Sequence, residues 1–172
     1  TIGEYAQMIN GEKWLKKGIQ CELVVIPIEH YDHSMRYNLP VPPSPNLPDS
    51  TSVYLYPSLC FFEGTIVSIG RGTDLPFQVI GYPGNEWGDY SFTPESKKGA
   101  SSPRYQGSNS IGWNLSEFGK QPFILEKGLH LDWIIEMYSQ SENSTFFERS
   151  DFFDLLAGGS DLREMIIQNR SA

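Results

Sequence analysis

Residues 63–76 read Glu63-Gly64-Thr65-Ile66-Val67-Ser68-Ile69-Gly70-Arg71-Gly72-Thr73-Asp74-Leu75-Pro76. The apolar run Leu59-Cys60-Phe61-Phe62 leads in, and a second run from Phe77 to Ile80 leads out. Polar groups held between two buried segments belong at the mouth of a core. The glycines let the backbone turn sharply or approach a ligand closely. Arg71 carries a rigid fork of donors that suits a carboxylate or a phosphate. Glu63 is the acid–base candidate of the stretch. The same residues also fit a plain tight turn with a solvated Arg71 and a surface Glu63 before a helix-ending Gly64.

The chain has 172 residues, enough for one domain with a sizeable core. Aromatic residues make up 13%, a share that suits either core packing or a platform for sugars or bases. The formal net charge is −8 and there is no basic run, which argues against a nucleic-acid partner. No apolar stretch approaches the length of a bilayer span. The chain lacks an initiator Met and opens at a helix start, so it reads as a fragment or a processed form. Cys21 and Cys60 form no Cys-x-x-Cys pair and read as buried thiols or as one disulfide.

Thr1 with Glu4 is a capping box, and Tyr5, Met8 and Ile9 continue a helical stripe that is expected to run to about Lys17 before Gly18. Leu23-Val24-Val25-Ile26 predicts a strand covered on both faces. Glu29-His30-Tyr31-Asp32-His33 follows it. His and carboxylate at this spacing raise a metal reading, against which no third His stands nearby; a polar strand exit is the simpler reading, so no metal is assigned. Residues 39–48 hold five prolines and form a stiff extended connector. Val53 to Tyr56 predicts a short strand, and Pro57 predicts the start of a short helix that delivers Glu63 at its end. Residues 81–110 read as a long loop in which Trp87, Tyr90, Phe92 and Tyr105 serve as binding or anchoring aromatics. Ile111 to Leu115 predicts a strand. Leu131, Ile134, Ile135 and Tyr138 predict a helix over roughly 127–139, and Leu162, Met165 and Ile166 a last helix after Ser160. The expected class is α+β, a mixed β-sheet packed by about four helices, with long loops rich in Gly, Pro and Ser.

A series of motifs gives the chain a resemblance. They are Pro42-Pro43-Ser44-Pro45-Asn46, Tyr56-Pro57, Phe62-Glu63-Gly64-Thr65, Ser68, Gly70-Arg71-Gly72-Thr73, Pro76-Phe77 and Gly81-Tyr82-Pro83. In this order they resemble the bacterial exo-β-N-acetylmuramidase (NamZ-like) family, and the two ends of the chain resemble it as well. The resemblance implies one domain over 1–172, the C-terminal half of a larger protein whose Rossmann-like N-terminal domain is absent. It implies a glycoside hydrolase of cell-wall turnover that removes N-acetylmuramic acid from the non-reducing ends of peptidoglycan fragments. The cleft would lie between the two domains, so the isolated chain is expected to be inactive. No cofactor is implied. The partners would be a muramyl saccharide and the protein's own N-terminal domain, in an extracytoplasmic location. The chain departs from the family pattern at Ile66, Ile69 and Gln78, where many members carry Asn, Glu and Glu.

On that resemblance Glu63 is the catalytic candidate. Apolar surroundings at a helix end would raise its pKa and suit a general acid. Arg71 is the candidate reader of the lactyl carboxylate that N-acetylglucosamine lacks. Asn46, Tyr56, Thr65, Ser68, Thr73 and Tyr105 are candidate substrate contacts, although turn-forming hydroxyls are an equal reading of Thr65, Ser68 and Thr73. The rival reading is a non-catalytic peptidoglycan-binding domain.

Overall fold

The computed structural model describes residues 1–35, 37–121 and 128–169. The chain divides into two compact units, Thr1–Tyr37 and Asn38–Ala172.

In the first unit, α1 (Ile2–Gly11) is closed by the expected capping box. The Thr1 hydroxyl accepts from the Glu4 N–H, and the Glu4 side chain reaches back to the cap. The helix stops well short of Lys17. Lys13 takes a positive φ of 57°, and only one tight turn, Lys16–Gly18, follows. Asn10 redirects the chain: its side chain donates to the Cys21 carbonyl and accepts from the Cys21 N–H, both at 2.9 Å. The buried strand expected at Leu23 to Ile26 does not form. The segment has no assigned strand or ladder partner, with Val24 79% and Ile26 86% exposed. β-branched residues favour extended backbone, but a ladder needs a neighbouring strand. Cys21 is exposed and free, and Cys60 is free and half-buried, so neither is a fully buried thiol and no disulfide forms.

The second unit begins with the proline-rich connector and then α2 (Ser50–Leu59). The strand expected at Val53 to Tyr56 is therefore helix. The Asp49 carboxylate accepts from the Ser52 N–H at 2.8 Å, and Ser52 returns the bond. This cap, with Ser52, Leu55, Ser58 and Leu59 buried along one face, outweighs the β-propensity of Thr51, Val53 and Tyr54. Pro57 sits inside the helix rather than at its start. A tighter 3-10 helix, Cys60–Gly64, continues it and carries Glu63 in its last turn.

The sheet has three strands, β1 (Val79–Tyr82), β2 (Tyr90–Phe92) and β3 (Ser110–Asn114), in the order β1-β3-β2. Both pairings are antiparallel, with Gly81 opposite Gly112 and Ser91 opposite Ile111. The α+β class holds, with an antiparallel sheet in place of a mixed one. β2 falls inside the stretch read as loop; its three residues are too short to leave a periodic signal. Five described helices follow, the first four being α3 (Ser116–Gly119), α4 (Asp132–Gln140), α5 (Asn143–Phe146) and α6 (Ser150–Ala157). The last is α7 (Asp161–Asn169), so seven helices are present among the described residues against about four expected. Lys127, the expected start of α4, lies outside the described residues.

The core joins these elements around Leu55, Leu59, Phe62, Phe77, Ile80, Leu115, Ile134, Met137, Phe146 and Phe153, each at most 2% exposed. Burying an aromatic or branched aliphatic side chain contributes roughly 1.5–3 kcal/mol. Gly64 packs against Phe153, where an added Cβ would meet the Phe153 Cβ at 2.7 Å. α7 is tied to α6 by Arg163, whose Nε and Nη2 each donate to the Asp154 carboxylate at 2.8 Å.

Two outcomes follow. Asp49→Ala, which deletes the α2 cap, is expected to lower unfolding stability by about 1 kcal/mol in a urea melt. The Arg163 hydrogen bonds hold the Asp154 carboxyl below its ordinary range. A depressed carboxyl contributes stability above its unfolded pKa and loses it as pH falls through the folded value. Thermal melts are therefore expected to separate Asp154→Asn from the parent at about pH 7, with the gap closing below about pH 4.

Candidate functional site

Phe61 and Phe62 are buried on the 3-10 helix, which leaves the next side chain, Glu63, at the edge of the core. Seven residues later the chain turns back through Gly70 and Gly72, with φ of 76° and 85°. Both glycines are required. A Cβ on Gly70 would meet the Leu75 carbonyl oxygen at 2.7 Å, and one on Gly72 the Glu95 carbonyl oxygen at 2.6 Å. Between them Arg71 is held so that its Nη2 donates to both Glu63 carboxylate oxygens at 3.3 Å. The pair is partly open to solvent, with Arg71 40% and Glu63 28% exposed. Glu63 thus has a guanidinium partner in place of the purely apolar surroundings expected from the sequence. The Arg71 guanidinium also lies 5.3 Å from the centre of the buried Phe77 ring. Its Nε is buried and has no hydrogen-bond partner.

Glu63 and Arg71 line a cavity of about 160 Å³ together with Val67, Ser68, Ile69, Arg104 and Arg149. Arg104 donates from Nη2 to the Glu148 carboxylate at 2.6 Å and lies over the Tyr105 ring. Arg149 lies over the Phe152 ring at 4.4 Å. Three arginines thus line the cavity with one carboxylate; Arg71 is paired with that carboxylate, Arg104 with Glu148 beside the cavity, and Arg149 stacks on Phe152. Such a cavity suits an anion of carboxylate or phosphate geometry, beside one carboxyl group able to exchange a proton.

Of the residues expected from the sequence, Glu63, Ser68 and Arg71 meet at this cavity. The buried Ser68 hydroxyl accepts from the Gly70 N–H at 3.3 Å. Tyr56 lies beside the site, its ring 4.9 Å from that of Phe77. Burial pushes its hydroxyl pKa up, assisted by Cys60 and Glu63 and opposed by Arg71. Burial, then Glu63, likewise raises the Cys60 thiol.

Thr65 and Thr73 are committed to turns. Thr65 donates to the Phe62 carbonyl and accepts from the Val67 N–H; Thr73 does the same between Gly70 and Leu75. Asn46 ties the proline-rich connector to the Gly99 carbonyl at 2.8 Å and does not line the cavity. The Tyr105 hydroxyl donates to the Ile66 carbonyl at 2.7 Å and faces a different cavity. Gln78 is buried and donates to the Asp49 carboxylate, so it supports the α2 cap.

Sequence reasoning missed Arg104 and Arg149. Neither sits in a marked pattern, and only the fold carries them to the 63–71 stretch: the Arg149 N–H donates to the Gly64 carbonyl at 3.0 Å. In the His30-to-His33 stretch, His33 Nε2 lies 2.8 Å from the Glu4 carboxylate. Among the described residues no three His, Cys, Asp or Glu form a metal-holding group.

Comparison with known proteins agrees with these motifs. Residues 54–172 match the family model described as exo-beta-N-acetylmuramidase NamZ, C-terminal, and residues 1–51 match its N-terminal counterpart. The chain is 41% identical over 87 residues to the peptidoglycan beta-N-acetylmuramidase NamZ of Bacillus subtilis (strain 168), a match covering 48% of this chain and 20% of that protein. Two crystal structures of DUF1343 family proteins from Bacteroides fragilis NCTC 9343 are also similar. One is 45% identical with a TM-score of 0.86, covering 96% of this chain and 46% of its own. The other, 19% identical with a TM-score of 0.68 over 98% of this chain and 48% of its own, is alike in fold. The chain thus spans about half the length of these solved relatives. With the C-terminal family model matched over residues 54–172, most of the chain, and the N-terminal one over residues 1–51, the chain belongs to the NamZ exo-β-N-acetylmuramidase family.

Proposed function

We propose that this chain forms part of a glycoside hydrolase that releases N-acetylmuramic acid from the non-reducing ends of peptidoglycan fragments during cell-wall turnover and recycling. The observation that carries this reading is the arginine-lined cavity around Glu63. N-acetylmuramic acid differs from N-acetylglucosamine by a lactyl ether that ends in a carboxylate. Arg71 has an unpartnered buried Nε and two half-open contacts to Glu63, so it can receive that carboxylate on its fork. Arg104 and Arg149 add positive field at the same place. In this reading the arginines choose the muramyl sugar and Glu63 exchanges the proton.

Glycosidases generally work with a pair of carboxyl groups flanking the scissile bond. Glu63 is the one carboxylate lining this cavity. The second is assigned to a complete N-terminal domain, which is also the proposed intramolecular partner. A peptidoglycan substrate sets the proposed location outside the cytoplasm. The same single carboxylate favours a second reading, in which the isolated chain binds the muramyl unit without turning it over.

Release of free N-acetylmuramic acid from a muramyl-N-acetylglucosamine disaccharide tests both readings. The chain joined to a complete NamZ N-terminal domain is expected to release the sugar, and the chain alone to bind it without release. Glu63→Gln is expected to slow release by about 10²–10⁴-fold while the protein stays folded. Full activity in that variant would remove Glu63 from the mechanism. Arg71→Lys is expected to reduce the preference for muramyl over glucosaminyl substrates by about tenfold or more. Equal losses on both would refute the carboxylate-reading role.

A further inference from the structure

A second cavity, of about 480 Å³, is lined by Tyr82, Glu86, Trp87, Tyr105, Gln140 and Glu142 among others. We infer that it binds an uncharged aminosugar ring, stacked on Trp87 and hydrogen-bonded to the carboxylates and amide around it. The inference stands on this cavity's own lining and rests on the muramidase reading only for the choice of saccharide.

Trp87 is 56% exposed, an unusual state for the largest apolar side chain. Its loop is nevertheless built firmly. The buried Asn85 donates to the Trp87 carbonyl at 2.6 Å and to the Ile111 carbonyl of β3 at 3.0 Å. It also accepts from the Trp87 N–H at 3.2 Å. The indole is thus presented from a loop anchored to the sheet, which lowers the ordering needed to bind a flat face.

The rest of the lining is rich in acceptors. Glu86 and Glu142 contribute carboxylates, and Gln140 Oε1 is buried with no hydrogen-bond partner. An unmet buried acceptor is unfavourable by about 1–3 kcal/mol and calls for a donor. Sugar hydroxyls and an acetamido N–H are donors, and the C–H face of a pyranose packs on an indole. The two carboxylates repel an anionic ligand, so this cavity and the arginine pocket select opposite chemistries. They are lined by consecutive residues of the same two segments. Ile66 and Tyr105 line this cavity, their chain neighbours Val67 and Arg104 line the other, and the Tyr105 hydroxyl clamps the two segments together. An anionic sugar at one and its neutral neighbour at the other fits that arrangement.

The test is an NMR titration of the chain with the uncharged N-acetylglucosamine disaccharide, following the indole N–H signals of its four tryptophans. Saturable movement of the Trp87 signal is expected, weakened about tenfold or more in both Trp87→Ala (followed on the Asn85 amide) and Gln140→Leu. No saturable shift with the disaccharide overturns the inference. So does saturation by a diamine such as cadaverine in its place, which would make the cavity an ammonium site. Sugar binding here without muramic acid release by the joined protein would leave this inference standing and refute the hydrolase reading. Release without Trp87 involvement would do the reverse.

Discussion

Residues 64–72 form an irregular backbone segment inside the core, and a buried peptide group must find a hydrogen-bond partner. The partners come from the whole second unit. Gly64 accepts from Arg149, Ile66 donates to Phe146, Ser68 exchanges two bonds with Gly81, Ile69 accepts from Phe77, and Gly72 accepts from Glu95. The segment is therefore a hub that β1, the α5–α6 connection and the loop after β2 must all reach. Because Gly64, Ser68, Ile69 and Gly72 are all buried, the bonds they make cannot be exchanged for water without exposing core.

The candidate site is a consequence of that hub. Glu63 and Arg71 sit at its two ends, and closing the turn brings them together. Docking α6 on Gly64 delivers Arg149, and seating Tyr105 on Ile66 delivers Arg104. Each guanidinium lies over an aromatic ring, a contact that adds cation–π attraction and holds its position, Arg71 and Arg104 being half-buried and Arg149 exposed. Three arginines are thus gathered at one small cavity of an acidic chain, two of them held in ion pairs with Glu63 and Glu148. Such local fields attract anions irrespective of the net charge of the whole.

Local patterns carried part of this into the sequence. The Thr1–Glu4 box and β3 were legible because a cap and a short alternating run act over a few residues. The Gly-Arg-Gly turn and the Glu63 ending were legible for the same reason. Val53 to Tyr56 misled: its residues favour strand, but Asp49 and the buried face of α2 decide for helix. Leu23 to Ile26 misled in another way: its residues favour strand, but no neighbouring strand pairs with it and Leu23, Val24 and Ile26 are exposed.

The sequence by itself determined the family, the α+β class, and the two groups at the centre of the site, Glu63 and Arg71. Those rest on residue identity and on spacings within one or two turns of chain. Only the tertiary structure decided that the two are paired, that Thr65 and Thr73 serve turns, and that Arg104 and Arg149 line the same cavity. The reason is physical. Which donor meets which acceptor across the core is set by packing between distant segments, and no local pattern encodes it.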